Sequence, residues 1–313
     1  MQTSYEIFLL VAKEKSITKA AQKAFISQQA VSEHIKKLED KYGLKLFTRK
    51  PHFQLTEAGE AMFRSLQQMQ LIERSMNDDL SQRSQETKGS FNLGNNASRA
   101  QIILPLVMPE FARMYPHVDI HFSLQDTSYA EQQLLNGEVD LFLGIEPTFH
   151  QEFDYTPLCE DDLRVVASSG LLKQYASDLR KLDQHSTVDL KSLQGTPFIF
   201  SDITSSVNTL LTSHLNKERI EPWVRYYISD TSSQILMCIQ GLGAAFVPIM
   251  LLSHVNRWNE IAGPNEYLHI FRINNLEEKL SIQSVRLKNR VYPAYVLEFE
   301  ELMHKMLKEN FKC

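Results

Sequence analysis

The chain opens on apolar residues at helical spacing. Tyr5, Phe8, Leu9 and Ala12 recur three and four residues apart, which predicts a first helix. Ser16 or Thr18 is placed to cap a second helix, with Ala20, Ala21 and Ala24 as its small inner face. Phe25-Ile26 forms the turn. Ser27 then caps a third helix whose stripe is Val31, Ile35, Leu38 and Tyr42, and Gly43 ends it. Leu44, Leu46 and Phe47 are expected to pack beneath these helices. Arg49, Lys50 and His52 surround Pro51 in a short hairpin. Thr56 caps a long helical pattern reaching about Arg83. In it Met62, Leu66, Met69, Met76 and Leu80 follow alternating spacings of three and four, with Glu73 in the remaining slot. The polar stretch Ser81–Ser90 ends in Gly-Ser and reads as a hinge.

After Ser90 the pattern changes to strands alternating with helices. "SFNLGN" is strand-like, "SRAQIILPLVMPEFARMY" is helical with Pro105 inside it, and "VDIHFSL" is a strand. "YAEQQLLNG" is helical and "VDLFLGI" is a buried strand. This βαβαβ order predicts a parallel sheet covered by helices. A second series follows, from "DLRVVAS" through "TPFIFS", the helix "VNTLLTSHLNKE", the strand "VRYYIS" and the helix "TSSQILMCIQG" to "AAFVP". "KLSIQSVRL" and the helix from Tyr292 to about Lys308 read as a return to the first lobe. Two α/β lobes joined by crossovers leave a cleft between them.

The third helix has a second face. Gln28, Gln29, Ser32, Glu33 and Lys36 project outward from its first turns. Gln matches both edge atoms of adenine in the major groove, and Ser can donate or accept. Charge sharpens this reading. Residues 1–53 hold ten Lys/Arg against five Asp/Glu, while the whole chain has a net charge of −5. A basic head on an acidic body directs only the head toward a polyanion. Cations in the hairpin would meet phosphates, adding affinity without sequence preference. At 313 residues the chain is long enough for two or three domains, and its 43% hydrophobic content is that of a globular protein. Neither a membrane-spanning run nor a basic leader is apparent, so a cytoplasmic location is expected.

The segment "SITKAAQKAFISQQAVSEHIKKLEDKYGLKLFTRKPHFQLTEAGE" resembles the N-terminal winged helix-turn-helix of the LysR-type transcriptional regulators. The matching elements are Ala20-Ala21, Ser27-Gln28, Ala30-Val31-Ser32, Ile35, Leu38-Glu39, Gly43, Leu46-Phe47, Arg49, Leu55-Thr56 and Ala58-Gly59. Gln29 stands where the family often has proline, and Glu33 where it is often basic. Glu33 would either repel phosphates or accept from a cytosine amino group. The resemblance extends to Gly94 ahead of Pro105, to "LLNGEVDLFLGI" and to "IQGLGAAFVP". It implies a winged helix-turn-helix over residues 1–58, a dimerising linker helix and hinge over 59–88, and a periplasmic-binding-protein-like effector domain over 89–313. Within the last, lobe I is expected at 89–165 and 270–313, and lobe II at 166–269. It further implies sequence-specific binding of double-stranded operator DNA, a homodimer through the linker helix, a tetramer built from two dimers, and RNA polymerase as a further partner. The expected DNA contacts are Thr18, Ser27, Gln28, Gln29, Ser32, Glu33, Lys36, Arg49, Lys50 and His52.

An effector would meet the carboxyl ends of the strands and the first turns of the next helices. Asn96, Ser98, Arg99, Asp126, Thr127, Ser128 and Glu146 are the candidates from lobe I. Asp202, Ile203, Thr204, Thr231 and Pro248 are those from lobe II. Hydroxyls and free amides suit a small acid, whereas Asp126, Glu146 and Asp202 suit an amine. Nothing calls for a cofactor or a metal. Gly241-Leu242-Gly243 lacks the third glycine of a dinucleotide fingerprint and follows a helix. Neither a Gly-x-Ser-x-Gly elbow nor a His-Glu-x-x-His pair is present, so the chain is not expected to be an enzyme. The alternatives are a regulator that needs no ligand, and a thiol-based redox sensor using Cys159 and Cys238.

Overall fold

The structure is a computed structural model that describes residues 3–48, 52–82 and 88–311. Arg49, Lys50 and residues 83–87 of the expected hinge lie outside the described residues. Two compact units divide the chain, one built on residues 1–87 and the other on most of residues 88–313.

The first unit comprises α1 (Thr3–Glu14), α2 (Ile17–Ala24), α3 (Gln28–Tyr42), β1 (Phe47–Thr48), β2 (Gln54–Leu55) and α4 (Glu57–Gln82). The caps fall where the side chains dictate. The Ser16 hydroxyl accepts from the Lys19 amide and the Ser27 hydroxyl from the Ala30 amide. Phe25 turns the chain at φ 56°, and Gly43 ends α3 at φ 68°. Phe8, Val11, Ala20, Ala21, Val31, Leu38 and Leu46 form the core. Two apolar expectations fail. Leu44 is exposed, and Tyr42 is partly exposed, its hydroxyl 2.7 Å from that of Tyr5. A polar hydroxyl keeps Tyr42 at the rim, where Lys41 donates to Tyr5.

The second unit runs β3 (Gly89–Asn95), α5 (Ala97–Met114), β4 (Val118–Leu124), α6 (Thr127–Leu135), β5 (Leu141–Ile145), β6 (Phe153–Asp161), β7 (Leu163–Ser168), α7 (Ser169–Tyr175), β8 (Thr187–Val188), β9 (Pro197–Phe200), α8 (Ser206–Glu218), β10 (Trp223–Tyr227), α9 (Thr231–Ile239), β11 (Ala244–Pro248), α10 (Leu252–Asn259), β12 (Leu268–Ile273), β13 (Leu280–Leu287) and α11 (Ala294–Asn310). One sheet has the order β4-β3-β5-β13-β6, the other β10-β9-β11-β7-β12-β8. Each mixes a parallel βαβ part with strands that return antiparallel. Along β7, Leu163, Val165 and Ala167 enter one apolar cluster and Val166 another, because both faces of this sheet are covered. In the first lobe, Phe91, Phe111 and Phe299 pack edge to face at 5.0–6.0 Å.

The lobes divide at slightly different places than the sequence implies. β7 and β12 both lie in the second sheet, so residues 163–165 and 270–273 belong to lobe II. The chain crosses between β6 and β7, where a single residue separates the strands, and again between β12 and β13. The linker boundary also shifts. Met62, Phe63 and Leu66 of α4 pack into the core of the first unit, so the head extends past residue 58.

Candidate nucleic-acid interface and ligand cavity

α3 presents its polar row as its spacing requires. Ser27, Gln28, Gln29, Glu33 and Lys36 are exposed and Ser32 is half-buried, opposite the buried Val31, Ile35 and Leu38. Thr18 is exposed on the first turn of α2. Gln29 donates to a Glu33 carboxylate oxygen at 3.2 Å, one helical turn away. Glu33 is thereby engaged within its own helix, and it holds Gln29 along the row.

The hairpin beside α3 is fixed by Glu39 and Thr56. Glu39 accepts from the Leu46 amide at 2.9 Å and from Lys45 at 2.6 Å. Burial pushes its carboxyl up, but these bonds outweigh burial and hold it below the usual range. Thr56 donates to the Lys45 carbonyl and accepts from the Gly59 amide. A Cβ at Gly59 would stand 2.1 Å from the Leu46 carbonyl oxygen, so only glycine lets α4 approach so closely. β1 and β2 then pair Phe47 with Leu55 and Thr48 with Gln54. His52 is exposed at the tip of this wing.

Between the two sheets of the second unit lies a cavity of about 150 Å³. Four helices begin at its wall: α5, α6, α8 and α9. Asn96 caps α5 by accepting from the Ser98 and Arg99 amides. Thr127 accepts from the Ile145 amide at 3.0 Å. Glu146, held at φ 48°, accepts from the Ser281 amide. Asp202 accepts from the Thr204 amide and hydroxyl, which holds its carboxyl below the usual range. Asp126, Ser128 and Thr231 complete the expected residues that reach the wall.

Three expected residues do not line it. Ser98 is buried and bonded to Asp230, Ile203 projects into solvent, and Pro248 is buried in its strand opposite Leu163. Spacing from a strand end does not tell which way a side chain faces, and here packing turned these away. Conversely Glu131, Ser206 and Val207 line the cavity although the sequence reading does not anticipate them. Glu131 sits one turn beyond Thr127 on α6, a periodicity that is legible in the sequence.

Arg99 is a candidate charge by its position, and the structure supplies its partner. Its Nη2 lies 3.1 Å from Asp161, and both side chains are over nine-tenths buried. Asp161 also accepts from the Met250 amide. Burial pushes its carboxyl up against the pull of Arg99. Hydrogen bonds tie the lobes on either side of the cavity. Ser98 donates to Asp230 at 2.9 Å, and Ser206 donates to the Ile145 carbonyl at 2.9 Å. Cys159 and Cys238 are both buried, and burial pushes the Cys238 thiol far up. Among the described residues no cluster could hold a metal ion, and no helix is long and apolar enough to cross a membrane.

A helix-turn-helix unit with a wing is thus followed along the chain by a two-lobed α/β unit around a cavity. Residues 3–60 match the family of bacterial regulatory helix-turn-helix proteins of the lysR family, and residues 84–272 match the LysR substrate binding domain. The chain is 25% identical to the HTH-type transcriptional regulator CysL of Bacillus subtilis, covering 97% of this chain and 96% of that one. It is 28% identical to YtlI of the same organism over 77% of this chain and 75% of the relative. Full-length CbnR, solved in complex with its target DNA, superposes with a TM-score of 0.63 at 16% identity, covering 97% of this chain and 99% of CbnR. A full-length OxyR variant from Pseudomonas aeruginosa superposes with a TM-score of 0.69 at 16% identity, covering 98% and 94%. The chain belongs to the LysR family: it is a DNA-binding transcriptional regulator and not an enzyme.

Proposed function

We propose that the chain is a cytoplasmic regulator that reads a specific operator through α3 and changes its DNA engagement when a small molecule enters the interlobe cavity. The observation that carries the first half is the exposed row Gln28, Gln29, Glu33 and Lys36, on a helix whose other face buries Val31, Ile35 and Leu38. Gln28 and Gln29 contact base edges, Ser27 and Ser32 flank them, and Lys36 meets phosphate. Thr18 and the wing residues Arg49, Lys50 and His52 contact the backbone on either side.

The cavity supports the second half. Asn96, Asp126, Thr127, Ser128, Glu146, Asp202, Thr204 and Thr231 reach it from helix starts and strand ends of both lobes. A ligand bridging the lobes favours one closure over another, and the Ser98–Asp230 and Ser206–Ile145 bonds are the contacts that would differ. The shift can be no larger than the ligand's difference in affinity for the two states. Exposed apolar residues along α4 support a homodimer, which would offer two α3 helices to two half-sites. Two dimers then form the tetramer, with RNA polymerase as the downstream partner. Burial of both cysteines and the raised pKa of Cys238 argue against redox sensing, since thiolate chemistry needs access and a lowered pKa.

Binding-site selection with the purified protein at two salt concentrations tests the DNA reading. A preferred, roughly palindromic sequence is expected. Gln28→Ala should flatten the discrimination between good and poor sites by about tenfold. Lys36→Ala should weaken all sites alike and reduce the salt slope by about one. A steep salt slope with no preferred sequence would refute base reading by α3.

A further inference from the structure

We propose that the interlobe cavity takes a small ammonium compound that also carries an acceptor oxygen, and that it rejects carboxylic acids. This rests on the reading of the cavity as an effector site and names the class of the effector.

The wall is acidic. Asp126, Glu131, Glu146 and Asp202 all line the cavity, and Arg99 is its one basic residue among those described. No described Lys or Arg pairs with any of the four carboxylates, whereas Arg99 is already neutralised by Asp161 at 3.1 Å. The carboxylates are not spent on structure either. Among the described residues Asp126 makes no side-chain hydrogen bond, and Glu131 takes only the Thr148 amide at 2.6 Å. Glu146 takes the Ser281 amide through one oxygen, and Asp202 takes Thr204 through one oxygen. Each therefore has an oxygen left for a ligand donor.

Helix starts pull the other way, and their size can be weighed. Each helix N-terminus is worth roughly half a positive charge, so four supply about two. Four full carboxylates exceed that. The amides at three of these starts are also partly occupied by their caps: Asn96 on α5, Ser205 on α8 and Asp230 on α9. An entering dicarboxylate would face like charges without a free cation to receive it. An ammonium group would find unpaired acceptors.

A second observation defines the rest of the ligand. Arg99 reaches the wall, its side chain is 4% exposed, and its Nε has no hydrogen-bond partner among the described atoms. A buried guanidinium donor left unsatisfied is costly, so an acceptor oxygen at this end stabilises the bound state. Ile145 and Val207 supply apolar wall between the two polar ends, suited to a short methylene chain. The volume of about 150 Å³ limits the ligand to a small frame.

Calorimetric titration of the full chain with matched five-carbon probes tests this: 5-aminopentan-1-ol, pentan-1-amine, pentanoate and glutarate, at constant ionic strength. The amino alcohol should bind most tightly, the plain amine about tenfold more weakly, and the two acids not at all. Asp126→Asn with Glu146→Gln should weaken the amino alcohol by about tenfold or more. The fold should stay intact, since the first substitution breaks no described bond and the second keeps a side-chain carbonyl oxygen to accept from the Ser281 amide. Equal affinity of the double variant and the parent for the amino alcohol would overturn the assignment. Binding of the acids but not the amines would overturn it while leaving the cavity an effector site. Silence from all four probes would remove the effector reading itself, and this inference with it.

Discussion

Single residues explain why the head has its shape. Glu39 is the clearest, because one carboxylate receives the Leu46 amide and Lys45 and so pins the start of the wing to α3. Its folded pKa is depressed, so its contribution is present above the ordinary value of 4.5 and is lost as pH falls through the lower folded value. Glu39→Gln is therefore expected to destabilise the head by about 1–3 kcal/mol at neutral pH. The gap between variant and parent should narrow as the pH is lowered past 4.5, which thermal melts across a pH series would read. A gap independent of pH would assign the loss to packing. Glu33 shows the opposite use of a carboxylate. The sequence leaves open whether it repels phosphate or accepts from cytosine, and the structure ties it to Gln29.

At the scale of elements, α4 has two parts. The heptad spacing predicts one continuous seam, but Met62 and Leu66 are taken up by the core of the head. Met69, Ile72 and Met76 stay exposed. An apolar strip of this kind on a long helix calls for a partner. Met69→Lys with Met76→Lys should weaken self-association by about tenfold to a hundredfold, read by sedimentation across a concentration series. An unchanged dimer would place the interface elsewhere. The wing is the reverse case: two two-residue strands that carry no periodic signal. They form because Thr56, Gly59 and Glu39 fix their ends.

At the scale of the whole molecule, the second unit is organised around a buried charge pair. Arg99 begins α5 in one lobe and Asp161 ends β6 beside the crossover, where it also holds the Met250 amide of the other lobe. Removing one partner leaves the other buried and unpaired. Arg99→Leu should cost about 3–5 kcal/mol in denaturant unfolding of the full chain. Adding Asp161→Leu should recover part of that loss, because the stranded charge is gone. A double variant as unstable as the summed singles would show that Asp161 acts mainly through Met250.

What the sequence determined by itself was whatever depends on neighbours along the chain. Ser27 and Thr56 as caps, Gly43 as a stop, and much of the alternation of strand and helix after residue 88 were legible, because capping and periodicity are set within a few residues. By contrast β6, α7, α10 and β12 were not anticipated, and Ser16 was one of two candidate caps. The polar row of α3 followed from the same periodicity. Tertiary structure decided which side chains face the cavity. Ser98 turned to Asp230, 132 positions away, and Arg99 to Asp161, 62 positions away. β6 and β12 entered their sheets through pairings with strands far along the chain. Such contacts form only when distant segments are brought together, so nothing in the local pattern of either partner announces them.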